Sequence, residues 1–200
     1  MDVILSTAYI PPIIYCKNLA LNNAIIEGAE NFQKQSFRNR CVILTANGKE
    51  ELIVPVKHYG KTEIPIKEKE ISYAENWQLK HWRSITSAYN HSPYFEYYKD
   101  EFKEIIMRKE KFLFDLNYQL LSLIVKNLEI KLPLINEVWN RNYINTLDLR
   151  NEIHPKIGIE NSSKIYMQVF INKFGFTPNL SIIDLLFNVG PDSLLKLLEN

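Results

Sequence analysis

The opening strand, proline pair and second strand constrain this chain more than any other feature. Val3-Ile4-Leu5 is a short apolar run, Pro11-Pro12 follows, and Ala24-Ile25-Ile26-Glu27-Gly28 is a second apolar run. Tandem prolines cannot continue strand pairing, but their fixed φ suits the first turn of a helix. Ile13, Ile14, Cys16, Leu19 and Ala20 then recur at helical spacing. Strand, helix and strand in that order favour parallel pairing, because a parallel neighbour needs a crossover.

Cys41-Val42-Ile43-Leu44 and Leu52-Ile53-Val54-Pro55-Val56 flank Asn47-Gly48, a pair that tolerates positive φ. The spacing predicts a hairpin with a long tip of seven residues. Ile64, Ile66 and Ile71 suggest one or two further short strands, with Pro65 confining the first to an edge. From residue 73 onward the pattern is helical. Ser72 with Glu75 matches a capping box and Asn76 is an equally good cap. The spacing predicts a helix over 77–90, ended by His91-Ser92-Pro93, and further helices over 94–108 and 111–128. Residues 133–164 are polar and broken and read as loop with short elements. Ser181-Ile182-Ile183-Asp184 reads as a helix start with Asp184 in a capping role, and Gly190-Pro191 closes one helix and opens another. The expected fold is α+β: a small mixed N-terminal sheet with a β-α-β start and a hairpin, then a mainly helical C-terminal half. No repeat, low-complexity segment or linker divides the chain, so residues 1–200 are expected to form one domain.

Charge excludes some functions. Lys plus Arg number 24 against 23 Asp plus Glu, a net charge of +1, which argues against a nucleic-acid partner. No run reaches the roughly 18 apolar residues of a membrane span. Met1-Asp2 and three apolar residues do not make a signal peptide. Cys16 and Cys41 are too few for a disulfide framework, and each fits a small buried apolar role better than a nucleophile. A cytoplasmic protein is expected. Neither a metal nor a cofactor is expected, because His58, His81, His91 and His154 lack metal-ligand spacing and no glycine-rich phosphate loop occurs.

Residues 31–91 carry ten Lys or Arg and six Glu. Within them, Lys34-Gln35-Ser36-Phe37-Arg38-Asn39-Arg40 concentrates three cations. Arg40 can grip a phosphate or carboxylate through paired hydrogen bonds, with Lys34 as a second point charge. A solvated edge, positively charged against aggregation, accounts for the same residues. On the helix from Trp77, His81 falls inside the apolar stripe, while Lys80 and Arg83 lie on the other side. An inward histidine at a pocket edge can move a proton near neutral pH; a satisfied core histidine is the alternative. Twelve of the chain's 24 aromatic residues lie between Tyr73 and Tyr118. They can stack on a ligand or simply fill a helical core.

Several strings together resemble the WbqC-like family of bacterial proteins. They are Leu5-Ser6-Thr7-Ala8-Tyr9-Ile10-Pro11-Pro12, Phe32-Gln33-Lys34-Gln35-Ser36-Phe37-Arg38-Asn39-Arg40, Leu52-Ile53-Val54-Pro55-Val56-Lys57, Asn76-Trp77-Gln78-Leu79-Lys80-His81-Trp82 with Ala88-Tyr89, and Pro93-Tyr94-Phe95. The closing segment from Asn179 to Asn188 is similar to the form common in Bacteroidetes. The resemblance implies a place among proteins of O-antigen and related surface-polysaccharide biosynthesis, with a role in modifying activated sugars. The family carries a His-Gln-Pro run where this chain has Leu5-Ser6-Thr7.

By position, Lys34, Asn39, Arg40, Lys80, His81 and Tyr89 match the family's polar motif residues. The expectation is therefore a transferase acting on a nucleotide- or lipid-linked sugar. Arg40 and Lys34 would hold an anionic small molecule such as a nucleotide sugar, Asn39 would orient a substituent and His81 would shuttle a proton. Lys80 completes the substrate-binding set, and Tyr9 and Tyr89 would line the sugar's apolar face. The alternative is a non-catalytic binding or scaffold protein of envelope assembly, with a protein partner on Tyr94-Phe95-Glu96-Tyr97-Tyr98.

Overall fold

The computed structural model describes residues 1–58, 60, 63–138, 143, 145–156 and 164–199. Strand β1 (Asp2–Ser6) leads through helix α1 (Ile13–Leu21) to β2 (Asn23–Glu27), and the two strands pair in parallel, Ser6 opposite Glu27. Pro12 is the N-cap of α1, where a missing N–H costs nothing. The strand-helix-strand start therefore forms as its residues dictate.

Two more strands complete this sheet: β5 (Leu134–Asn136) pairs with β2 and β6 (Thr146–Asp148) with β1, both in parallel. The order is β5-β2-β1-β6. Both lie in the polar stretch expected to be mostly loop. Each is three residues long at a sheet edge, too short to show the period-two pattern that marks a strand in sequence. The hairpin is separate, with β3 (Arg40–Thr45) antiparallel to β4 (Gly48–Ile53). Its tip is two residues, not seven. Thr45 Oγ1 accepts the Asn47 N–H at 3.2 Å and donates to the Gly48 carbonyl at 2.9 Å, while Gly48 takes φ 106°. Pairing therefore extends through the charged residues 49–51, which apolar runs alone do not predict. Ile64, Ile66 and Ile71 yield single bridges and a short 3-10 turn instead of strands.

Helix α2 (Trp77–Tyr89) begins at Asn76, whose side chain accepts the Leu79 N–H. Helices α3 (Phe95–Met107) and α4 (Leu113–Asn127) follow, then the short α5 (Ile171–Phe174), α6 (Ile182–Val189) and α7 (Ser193–Leu198). Most of the concentrated aromatics serve packing. Phe187 of α6 is fully buried and meets Tyr89, Phe95 and Phe102 edge-on, with centroids 5.3–5.7 Å apart. Burial of such a ring contributes about 2–3 kcal/mol. The C-terminal segment also grips the first crossover: Ile13 N–H bonds the Leu180 carbonyl, and Ile182 N–H bonds that of Pro11.

Ser181 is the N-cap residue of α6, but its hydroxyl donates to the Ile10 carbonyl instead of capping. Asp184 does not serve as a cap either. It is buried and accepts from Tyr166 and Gln168, and burial raises its pKa.

Gly190 ends α6 at φ 66°, and a Cβ there would lie 2.5–2.6 Å from the Tyr94 ring. Gly190→Ala is expected to lower unfolding free energy by roughly 1–3 kcal/mol, from the left-handed conformation and the clash together. Urea denaturation measures this.

Candidate functional site

Helix α2 packs on one face of the hairpin. Its Ser84 hydroxyl donates to Glu50 at 2.8 Å, and Glu50 stands opposite Ile43 on the face that also carries buried Cys41 and Leu52. His81 is 5% exposed here. Its Nδ1 lies 3.0 Å from the Tyr9 hydroxyl, and the Ile53 carbonyl hydrogen-bonds the ring from the other side. Since a carbonyl only accepts, the ring proton is on Nε2 and Tyr9 donates to Nδ1. Burial drives the imidazole's pKa down to about 4, against a smaller upward effect of the Ile53 bond. The ring is thus neutral, with both nitrogens engaged, between Tyr9 and Trp77.

The other five predicted residues are distributed around this pair. Asn39 donates to the Val54 carbonyl at 2.9 Å, leaving its buried Oδ1 without a partner. Arg40 pairs in register with Ile53, one residue out of phase with Cys41 and Leu52, so its side chain leaves the opposite face of the hairpin from α2. There it meets Glu51 at 2.8 Å. Tyr89 is buried eight residues beyond His81, about 12 Å along the helix axis. Lys80 is exposed in an ion pair with Glu75, and Lys34 is exposed, its charge helping burial to lower the pKa of Lys69. Tyr9 and His81 come together; Arg40 is on the other side of the hairpin from them.

A denser polar cluster lies at the carboxyl edge of the parallel sheet. Ser6, Glu27, Asn136 and Asp148 each end a strand. Arg38 is 2% exposed and forks onto Glu30, Nε to Oε1 at 2.9 Å and Nη2 to Oε2 at 2.6 Å. The same Nη2 reaches the Ser6 hydroxyl at 2.6 Å. Burial raises the pKa of Glu30, and its bonds to Arg38 and Ser6 oppose that. Glu27 is fully buried and accepts from Tyr143 at 2.7 Å and from the Ala29 N–H at 2.8 Å. Arg150 stands 3.6 Å from Glu27 and 2.6 Å from Asp148, whose pKa it lowers.

The chain lays down β1, β2 and β5 in one direction and then returns to set β6 on the other side of β1. In open parallel sheets, ligands bind outside the strand ends at such a reversal. A small crevice opens there, lined by Ser6, Thr7, Arg38, Leu149, Arg150 and Ile153 among others. Two guanidinium groups, three carboxylates and a hydroxyl at one edge can recognise a ligand bearing both anionic and hydroxyl groups.

None of these charged residues was singled out from sequence as a site. The readable signal was a polar residue closing each apolar run, Ser6 after Leu5 and Glu27 after Ile26, in strands expected to be parallel. Arg38 stood in the cationic stretch beside the chosen Arg40. Arg150 carried no signal, because β6 was not expected.

The chain belongs to the WbqC-like protein family, whose profile matches residues 7–142. It is also similar to the uncharacterised protein Rv1507c of Mycobacterium tuberculosis, 27% identical over 95% of this chain and 94% of that protein. No solved structure matches it. Ser6 ends β1, and Ser6 and Thr7 border the crevice. No helix among the described residues is long and apolar enough to cross a membrane.

Two outcomes follow for stability. A histidine with a depressed folded pKa binds fewer protons folded than unfolded, so its contribution is present above pH 6.5 and is lost as pH falls toward 4. His81→Gln should abolish that loss, up to about 3 kcal/mol, in urea titrations from pH 7 to pH 4. Arg38→Ala should cost about 3–5 kcal/mol by leaving Glu30 buried and unpaired, whereas Arg38→Met with Glu30→Leu should cost less than the single change. A double-mutant cycle in the same titrations reads both.

Proposed function

We propose that this chain is a cytoplasmic protein of bacterial surface-polysaccharide biosynthesis that holds a nucleotide- or lipid-linked sugar and transfers or modifies it at the carboxyl edge of the parallel sheet. Family membership supports the polysaccharide setting. The observation that carries the site is the convergence of Ser6, Glu30, Arg38 and Arg150 beside the strand-order reversal. Carboxylates and amides placed there suit sugar hydroxyls, and guanidinium groups suit phosphate.

The residues chosen from sequence enter this reading unequally. Asn39 and Arg40 continue the chain from Arg38 and border the same region. Tyr9 and His81 join α2 to the turn after β1, Lys34 and Lys80 would act as outlying groups for a larger ligand, and Tyr89, buried against Phe187, supports α2 from within the core.

A non-catalytic scaffold is the second reading. It is favoured by Tyr97, which is 76% exposed on α3 with its ring set edge-on against Tyr98. Calorimetric titration with UDP-, GDP- and dTDP-hexoses separates the two. The first reading expects saturable binding that Arg150→Ala weakens tenfold or more and Arg150→Lys partly restores. Absence of binding to every sugar nucleotide and to isoprenyl diphosphate sugars, with a stoichiometric protein partner lost in Tyr97→Ala, would replace it with the second.

A further inference from the structure

The stretch 33–40 does have a histidine against it, and that residue is His154. It follows β6, between two residues that both touch the stretch. On one side Ile153 lines the crevice with Phe37 and Arg38. On the other, the Lys156 ammonium donates to the side-chain carbonyl of Gln35. The imidazole is held in place by its own loop as well, because Nδ1 accepts the Lys156 backbone N–H at 3.2 Å. The proton of the neutral ring is therefore on Nε2, and Nε2 has no hydrogen-bond partner among the described residues. Partial burial, then the charges of Lys156, Arg38 and Arg40, lower this histidine's pKa, which keeps the ring neutral and Nε2 a donor.

Arg40 presents the second donor. Its Nη1 is taken by Glu51 at 2.8 Å, but its Nε is buried with no partner. A buried N–H without an acceptor is costly, and an arriving oxygen relieves that cost. Charge points the same way. Arg38 is spent on Glu30 and Arg40 shares one edge with a half-exposed Glu51, while among the described residues the Lys156 ammonium meets a neutral amide and no carboxylate. Positive charge and N–H donors therefore gather on this side of the stretch 33–40.

We propose that His154 and Arg40, flanked by Lys156, form a binding site for the phosphate groups of a diphosphate ester, between the segment after β6 and the outer face of the hairpin. His154 Nε2 and Arg40 Nε donate to phosphoryl oxygens, and the sugar extends toward Ser6 and Arg150. The assignment rests on the reading of an activated sugar as substrate. Nucleotide sugars and isoprenyl-linked sugars share the diphosphate, so the phosphate contacts are common to both.

Calorimetry on the full chain tests it with inorganic pyrophosphate, UDP-glucose and geranyl diphosphate as probes. His154→Ala and Arg40→Ala should each weaken pyrophosphate binding at least tenfold, and His154→Gln, which keeps an N–H donor, should recover part of the loss. His154 is only half-buried, and thermal melting should show that its variants stay folded. Tighter binding of UDP-glucose than of geranyl diphosphate would identify the nucleotide as the source, and the reverse order the lipid. Unchanged affinity in both alanine variants, with wild type binding UDP-glucose, would overturn the assignment while leaving the proposed function standing. Pyrophosphate binding that depends on both residues, with neither ester bound more tightly than pyrophosphate, would keep the phosphate site and remove the activated sugar. Failure of wild type to bind any of the three would overturn both.

Discussion

The Arg38–Glu30 ion pair is the interaction on which the polar edge of this protein depends. A parallel sheet brings its strand ends out on one side, and here those ends are Ser6, Glu27, Asn136 and Asp148. Arg38 folds its own segment together by donating to Glu30 and Gln33 and ties that segment to the Ser6 hydroxyl that closes β1. Two charges that are each under 5% exposed would be untenable singly, and the bidentate geometry is what lets both be buried. With Arg38 fixed, the following residues enter the hairpin in one register, and the segment after β6 has a firm surface to lie on.

The hairpin separates the surroundings of His81 from those of His154. Its inner face, with Cys41, Ile43 and Leu52, receives α2 and seals His81 with Tyr9. Its outer face carries Arg40 and Glu51. Both environments lower a histidine's pKa, and burial leads in each. For His81 dehydration in an apolar site is the whole downward effect; for His154, which keeps contact with solvent, the charges of Lys156, Arg38 and Arg40 add to burial. The first favours a fixed neutral ring in a packed core. An anion arriving beside the second would weaken that lowering, because it offsets the cations that add to burial.

Much of the architecture was legible from residues alone. Pro11-Pro12 between two apolar runs specified a parallel crossover, Asn76 marked the start of α2, and Gly190-Pro191 marked the break between α6 and α7. These signals are local: they depend on φ restriction, capping and periodicity within a few residues. The edge strands β5 and β6 were not legible. At three residues each they gain their strand conformation from the neighbour they pair with, not from their own propensity. The hairpin tip was misjudged in length for a related reason, since residues 49–51 pair through backbone atoms while their charged side chains point to solvent or to α2.

Amino-acid order by itself determined the family, the β-α-β start, the helical second half and the presence of a cationic stretch before the hairpin, because each is written in adjacent residues. Which histidine meets that stretch was decided only by tertiary structure. His81 is forty-one residues beyond Arg40 and His154 more than a hundred, so neither spacing carries information about contact. Strand alternation turned Arg40 away from α2, and the return of the chain to the far side of β1 brought residues 149–156 against Gln35, Phe37 and Arg38. Sheet order is a property of long-range pairing, and long-range pairing is settled by the whole core at once.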